Sequence, residues 1–349
     1  MVISRHGKME DMAPDHRHRP ATQSDVAREV GVSRTLVSFA FRGAPGVSGQ
    51  TRQAIFDAAK RLGYRPNAAA ADLARKHRSA VGLHLMDIRN EVYADILSGV
   101  RMALPQDSNR LILSVSRSVD GVDQGALESL IEARVGIIIA ATLLDSDEHV
   151  RELARIVPLV SVTRPVDGVD SVYSDDAAGA RAATQHLLGL GHTRIAHLAG
   201  PLYDGHIVRR QSYEQTMRDA GLKPLTLAAD DFTQDAAQRA ATQLLLEADR
   251  PTAIFTHNDQ FALGAREATY ALGLSIPRDV SLVGYDNSRT ARLHGIELTS
   301  VDLHAVELGQ WAGAVALDRL NDPEVPIADK KLAPELVVRT STAPPESAR

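Results

Sequence analysis

From Ala80 onward, short runs rich in β-branched and aliphatic residues alternate with stretches whose apolar positions recur every three or four residues. The runs AVGLHLM, RLILSVS, VGIIIAA, PLVSVT, RIAHLAG, TAIFTH and VSLVGYD are predicted strands. Between several of them lie amphipathic segments such as DAAGARAATQHLLGLG and DQFALGAREATYALGL, the first ended by Gly191. Alternating strands and helices predict parallel sheets built from βαβ units. About 260 residues of such units suggest two doubly wound lobes rather than one.

The N-terminal pattern is different. TQSDVAREVGVSRTLVSFAFRG predicts two short helices around a tight turn, with Val26, Ala27 and Val30 on one buried face. Thr22 with Asp25 three residues on reads as a capping box, Gly31 supplies a permissive backbone, and Ser33 is placed to cap the second helix. That arrangement is a helix-turn-helix, whose second helix would enter a DNA major groove with its N-terminal side chains toward base edges. A third helix opens at Ser48, with Ile55, Ala58, Ala59 and Leu62 on one face, and ends at Gly63. Pro66 and Asn67 then suit the start of a short alanine-rich helix carrying Leu73 outward.

Charge divides the chain in the same place. Residues 1–78 hold 14 Lys and Arg against 7 Asp and Glu, a net +7, whereas the whole chain of 349 residues is at −5. A basic head on an acidic body suits a DNA reader with a separate sensing domain. The absence of cysteine removes disulfides and thiolate metal sites. No metal or cofactor is expected, the pair His16 and His18 being a weak signal in a polar leader. No apolar run approaches the roughly 20 residues that span a bilayer, so no membrane partner is expected. Residues 1–20 lack the apolar core of a signal peptide and read as a disordered leader or an early start codon.

VAREVGVS, LGYRPN and the Ala/Leu tether resemble the LacI/GalR family of bacterial transcription regulators, and the resemblance continues in order through DIRNEVY, LGLGHTRIAHLAGP, THNDQFALGA and VGYDNS. It covers roughly residues 22–340. It implies an all-α helix-turn-helix domain plus an α/β periplasmic-binding-protein-like core of two doubly wound parallel-sheet lobes. The lobes would be joined by three crossovers, near residues 176–179, 300–304 and 332–335. The expected divisions are a leader at 1–20, a helix-turn-helix domain at 21–66, a hinge at 67–79, an effector-binding and dimerisation body at 80–340, and a disordered tail at 341–349. STAPPESAR, which closes the chain, is proline-rich and polar, with no apolar heptad for a four-chain coiled coil.

The DNA-contact candidates are Thr22, Ser33, Arg34, Thr35, Ser38, Asn67 and Leu73. Arg34 would grip guanine O6 and N7 with two hydrogen bonds, or touch phosphate only. The family usually has Thr where this chain has Leu36 and Arg where it has Phe39, so relatives' operator preferences do not carry over. Phe39 is either buried or an apolar contact for a thymine methyl. By position, Leu73 is the family's minor-groove wedge, which kinks the operator when the tether becomes helical. Ala71 and Asp72 depart from the family pattern there, with Arg75, Lys76 and Arg78 to compensate.

Open α/β sheets place ligands at the carboxyl ends of strands. Asn90, Tyr93, Asn258 and Asp286 follow predicted strands, and Arg209 opens a later helix. The resemblance implies effector contacts for Asn90, Tyr93, Arg209, Asn258 and Asp286, with Phe232 as an aromatic wall. Thr163 stands where some sugar-binding relatives have Asp. Each has a bland alternative: Asn258 and Asp286 as helix caps, Asp259 as the true cap, and Phe232 as core. Asp175 and Asp176 read as caps of the helix that begins near Ala177.

The expected function is a cytoplasmic, homodimeric repressor of a palindromic double-stranded operator, controlled by a small-molecule effector, a sugar or related metabolite. The competing reading is a solute-binding protein of a transport system, which would gain nothing from a helix-turn-helix. An enzyme is not expected: GxSxG, GxxxxGK[ST], HExxH and a helix-opening GxGxxG are all lacking, and GLGHTR precedes a strand. His304 and Glu307 share a helix face and read as solvated.

Overall fold

The computed structural model describes residue 19 and residues 21–65, 80–105, 110–116, 125–201 and 207–346. Contacts divide the chain into two units, residues 1–77 and 78–349.

In the first unit, α1 (Gln23–Val30), α2 (Arg34–Phe41) and α3 (Gly49–Leu62) enclose Val26, Ala27, Val37, Ala40, Ile55, Ala58 and Ala59. Each helix starts on a local side-chain bond. The Thr22 hydroxyl accepts from Asp25 N and the Asp25 carboxylate accepts from Thr22 N at 2.9 Å. Ser33 Oγ accepts from Leu36 N, and Ser48 Oγ from Thr51 N, both at 3.1 Å. Gly31, at φ +74°, makes the turn between α1 and α2. Leu62 departs from expectation: it is exposed. Gly63 turns the chain left-handed, so that Tyr64 N donates to Ala59 O and the Tyr64 ring packs on the core in its place.

The second unit carries two six-stranded sheets. In lobe 1 the order is β11 (Asp329–Leu332), β5 (Asp170–Ser174), β4 (Leu159–Val162), β3 (Ile137–Ala141), β1 (Val81–Leu85), β2 (Leu111–Val115), with every pairing parallel. In lobe 2 it is β12 (Glu335–Val337), β10 (Thr299–Asp302), β9 (Ser281–Tyr285), β8 (Ala253–Thr256), β6 (Ile195–Ala199), β7 (Leu225–Ala228), parallel except for the β10–β12 pair. β3 shows why these strands are continuously apolar: Ile137 and Ile139 pack in one cluster, Ile138 and Ala140 in another. The chain leaves lobe 1 between Ser174 and Asp176, returns between Asp302 and Ala305, and leaves again between Leu332 and Glu335.

The helices of the body are α4 (Glu91–Ala103), α5 (Ala126–Glu132), α6 (Asp147–Ile156), α7 (Asp176–Gly189), α8 (Ile207–Asp219), α9 (Gln234–Leu245), α10 (Asp259–Ala271) and α11 (Ala305–Asn321). α4 and α11 pack in lobe 1 with their backbones almost touching. A Cβ on Gly99 would lie 2.0 Å from Val306 O, and one on Gly309 would lie 2.1 Å from Ile96 O.

The tail expected to be disordered from residue 341 is instead built into lobe 2 as far as it is described. Ser341 is buried, its Oγ accepting from Thr299 N at 2.8 Å and donating to Leu282 O at 2.6 Å. His192 Nε2 meets Ala343 O at 2.9 Å. Polar, proline-rich composition predicts mobility only where the backbone lacks partners, and this segment satisfies groups at the end of β9.

Candidate functional site

On α2, Arg34 and Thr35 are exposed and Ser38 is half-buried, while Val37 and Ala40 hold the helix to the core. Thr22 and Ser33 serve the caps described above. Asn67 and Leu73 lie outside the described residues.

The body brings a polar cluster together between its lobes. Asn90 caps α4 through Val92 N, and its amide lies 3.5 Å from the Asp286 carboxylate across the cleft. Arg209, at the start of α8, is buried; its guanidinium lies over the Tyr285 ring at 3.7 Å and donates to His257 O at 2.7 Å. Arg209 Nη2 donates to Asp176 Oδ1 at 3.3 Å. Nε is 3.1 Å from Oδ2 but off the hydrogen-bond direction, so that second contact is electrostatic. Asp286 is 4.0 Å from the same guanidinium. The Tyr285 hydroxyl also donates to Asp176, at 2.8 Å.

Asp176 therefore departs from the cap reading. Asp175 alone caps α7, accepting from Ala178 N, while Asp176 turns toward Arg209 because it is the first residue past the crossover into lobe 2. Two adjacent acids before a helix look alike in sequence, and only the fold separates them. Asn258 caps α10 through Phe261 N at 2.9 Å. Asp259, inside α10, accepts from Ser288 N and the Ser300 hydroxyl at 2.7 and 2.6 Å. Phe232 is buried beside His257, ring centroids 5.6 Å apart.

Thr163 and Tyr93 belong to lobe 1. The Thr163 and Thr142 hydroxyls are 3.0 Å apart, and Thr142 lies beside the buried Tyr93. Thr142, Thr163 and Asp286 all have left-handed φ angles, +65°, +82° and +106°. For non-glycine residues such conformations cost of order 1–3 kcal/mol each and tend to gather at functional sites.

Burial pushes the Asp286 carboxyl well above the usual carboxylate range against the pull of Arg209, and Asp259 adds to the rise. Burial likewise pushes Asp259 up to about 6, against its hydrogen bonds from Ser300 and Ser288. Burial works against the Arg209 charge, yet Asp176 and its neighbours hold that guanidinium above its ordinary pKa. The cluster thus sets one cation among several acids, a donor-and-acceptor surface with little net positive charge.

Sequence reasoning missed the lobe-to-lobe bonds that border this cluster. Thr290 N donates to the Glu91 carboxylate at 3.0 Å and the Thr290 hydroxyl donates to it as well, while Arg289 pairs with Asp95 at 3.8 Å. A cavity of about 440 Å³ opens beside them, between Arg89, Asn90 and Glu91 of lobe 1 and Thr233, Asp235 and Ser288 of lobe 2. Nothing local in the sequence announces pairs separated by about two hundred residues. Among the described residues no cluster of three or more His, Asp or Glu is placed to hold a metal ion, and no helix is long and apolar enough to cross a membrane.

A helix-turn-helix and a two-lobed body with a polar interlobe cleft, in one chain, define the class of ligand-responsive DNA-binding regulators. Residues 22–67 match the model of bacterial regulatory proteins, lacI family, and residues 184–342 match that of the periplasmic binding protein-like domain. The chain is 31% identical to catabolite control protein A of Priestia megaterium, over 91% of this chain and 98% of that protein. Its fold is similar to the lac repressor dimer bound to operator and the anti-inducer ONPF, with TM-score 0.79 and 28% identity, over 93% of this chain and all of that one. It is also similar to the CelR–cellobiose complex, with TM-score 0.68 and 30% identity over the same shares. The chain belongs to the LacI family of bacterial regulatory proteins. It is a DNA-binding transcriptional regulator with an effector-binding body; its relatives are regulators rather than enzymes, and the transport reading is not favoured.

Proposed function

We propose that this protein is a cytoplasmic, homodimeric repressor that binds a palindromic operator through α2 and is controlled by an uncharged polyhydroxylated effector held between its lobes. The observation that carries the effector reading is the cluster Asn90, Asp176, Arg209 and Asp286, in which the one cation is already paired with Asp176 and a second acid stands beside it. An anionic ligand would meet a guanidinium already neutralised by Asp176, whereas hydroxyl groups can donate to the Asp176 carboxylate, accept from Arg209 and Asn90, and exchange hydrogen bonds with the Asp286 carboxyl. Phe232 and Tyr93 would supply the apolar walls, Asn258 and Thr163 further polar contacts. CelR, in complex with cellobiose, is a relative by fold whose ligand is of this class. Symmetric heads suit a two-fold DNA site, and the operator-bound lac repressor is a dimer. Thr22, Ser33, Arg34, Thr35 and Ser38 would contact the operator, with Asn67 and Leu73 in the tether, and a DNA-binding regulator works in the compartment that holds DNA.

The test is a thermal-shift and calorimetric screen with ribose, glucose, cellobiose, gluconate, glucose 6-phosphate and adenine, followed by operator binding with and without each hit. A neutral sugar should raise apparent stability by mass action and change operator affinity. Tight binding by the acid or the phosphate ester alone would overturn the uncharged-effector reading.

A further inference from the structure

The outward face of α2 presents an aromatic ring where a solvated helix ordinarily carries a polar side chain. At 100° per residue, buried Val37 and Ala40 fix the inward direction, and Thr35, Phe39 and Arg42 fall on the opposite side. Phe39 lies outside the apolar cluster of the head, unlike Phe41 two residues on, which packs against it. Its ring is only half-buried and lies beneath the Arg42 guanidinium, 5.2 Å from the ring centroid, while Arg42 Nε donates to Ser38 O at 3.3 Å. Leu36, beside it, is also outside the cluster. Neither side chain belongs to the apolar cluster that holds the three helices together.

A helix lying in the major groove turns its outward positions to the base edges, and the apolar feature of those edges is the 5-methyl group of thymine. We propose that Phe39 is a specificity residue that packs its ring on a thymine methyl in each operator half-site, with the Arg42 charge held over the same ring to meet the adjacent phosphate. This rests on the operator-binding function of α2 and deepens it, because it assigns the base type read at one position.

The experiment uses the full chain. Sites are enriched from a random duplex pool, and each thymine of the enriched site is then replaced in turn by deoxyuridine, which lacks only the methyl. Affinities are read by fluorescence anisotropy for the parent, Phe39→Ala and Phe39→Arg. One thymine per half-site should be methyl-sensitive, with a loss of about fourfold per methyl, or about fifteenfold when both halves are changed. Phe39→Ala should bind thymine and deoxyuridine sites equally, and Phe39→Arg should enrich guanine at that position. Deoxyuridine without effect at every thymine, or an equal loss in Phe39→Ala, would overturn the proposal while leaving operator binding intact. A pool that yields no enriched site at all would overturn operator recognition itself, and this assignment with it.

Discussion

Removing Arg209 should destabilise the body well before any effector is added. The side chain is buried, holds Asp176 through one directed bond and one electrostatic contact, donates to His257 O at 2.7 Å, and covers the Tyr285 ring. Arg209→Met keeps most of the packing against Tyr285 but leaves the Asp176 carboxylate with the Tyr285 hydroxyl and without its cation, and takes one donor from the His257 carbonyl. Breaking one side of a buried pair costs about 3–5 kcal/mol, because the remaining charge keeps its desolvation penalty. Asp176 retains some solvent access, 24% of its side chain, which places the expected loss at the lower end, about 3 kcal/mol. Adding Asp176→Asn should return about 1–2 kcal/mol, since the stranded charge is then removed. Urea denaturation can be followed through the single tryptophan, Trp311 on α11, and in parallel by circular dichroism, which reports the secondary structure of the whole chain, lobe 2 included. A loss below about 1 kcal/mol in Arg209→Met, or strict additivity in the double mutant, would refute the claim that the pair stabilises the body.

Gly309→Ala should lower stability by about 3 kcal/mol in the same assay, because its Cβ would collide with the Ile96 carbonyl, whereas Gly189→Ala, with nothing within 4 Å, should stabilise by about 0.5–1 kcal/mol. Burial between Phe255 and Tyr213 pushes the His197 imidazole down to about 4, so folding resists its protonation and stability is lost as pH falls through the unfolded value near 6.5. Asp259, pushed up, has the opposite sign over part of that range, so the reading is the difference between the parent and His197→Phe. That difference should fall by about 2 kcal/mol from about pH 7.5 to about pH 5, and a flat difference would count against it. Ser341→Ala leaves the Thr299 amide and the Leu282 carbonyl without their partner and should cost about 1–3 kcal/mol by denaturation, while a stop codon after Thr340 should cost more.

Local chemistry was the legible part of this chain. The caps at Thr22, Ser33 and Ser48 and the stop at Gly63 each involve groups a few residues apart, so residue order nearly determines them. The seven strands foreseen are the continuous apolar ones. β5 and β11 escaped notice because DSVYS and DKKL are polar: Asp170 in β5 is satisfied by Arg319 of α11 at 2.9 Å, and β11 is an edge strand with exposed positions. In the cleft, strand ends pointed to Asn90, Asn258 and Asp286, but the part played by Asp176 and the Glu91–Thr290 bond depends on which ends the fold brings face to face. Long-range pairing leaves no periodic mark in a single sequence.

The near contact of α4 and α11 has a mechanical consequence. α4 begins at Asn90 and Glu91, one wall of the cleft, and α11 begins directly after the second crossover. With Gly99 and Gly309 leaving no side chain between the two backbones, neither helix can roll or slide on the other without colliding main chain against main chain. The pair forms a girder: the wall of the cleft at Asn90 and the end of the crossover at 302–305 sit on two helices locked backbone to backbone, so displacing one without the other would force main-chain collisions.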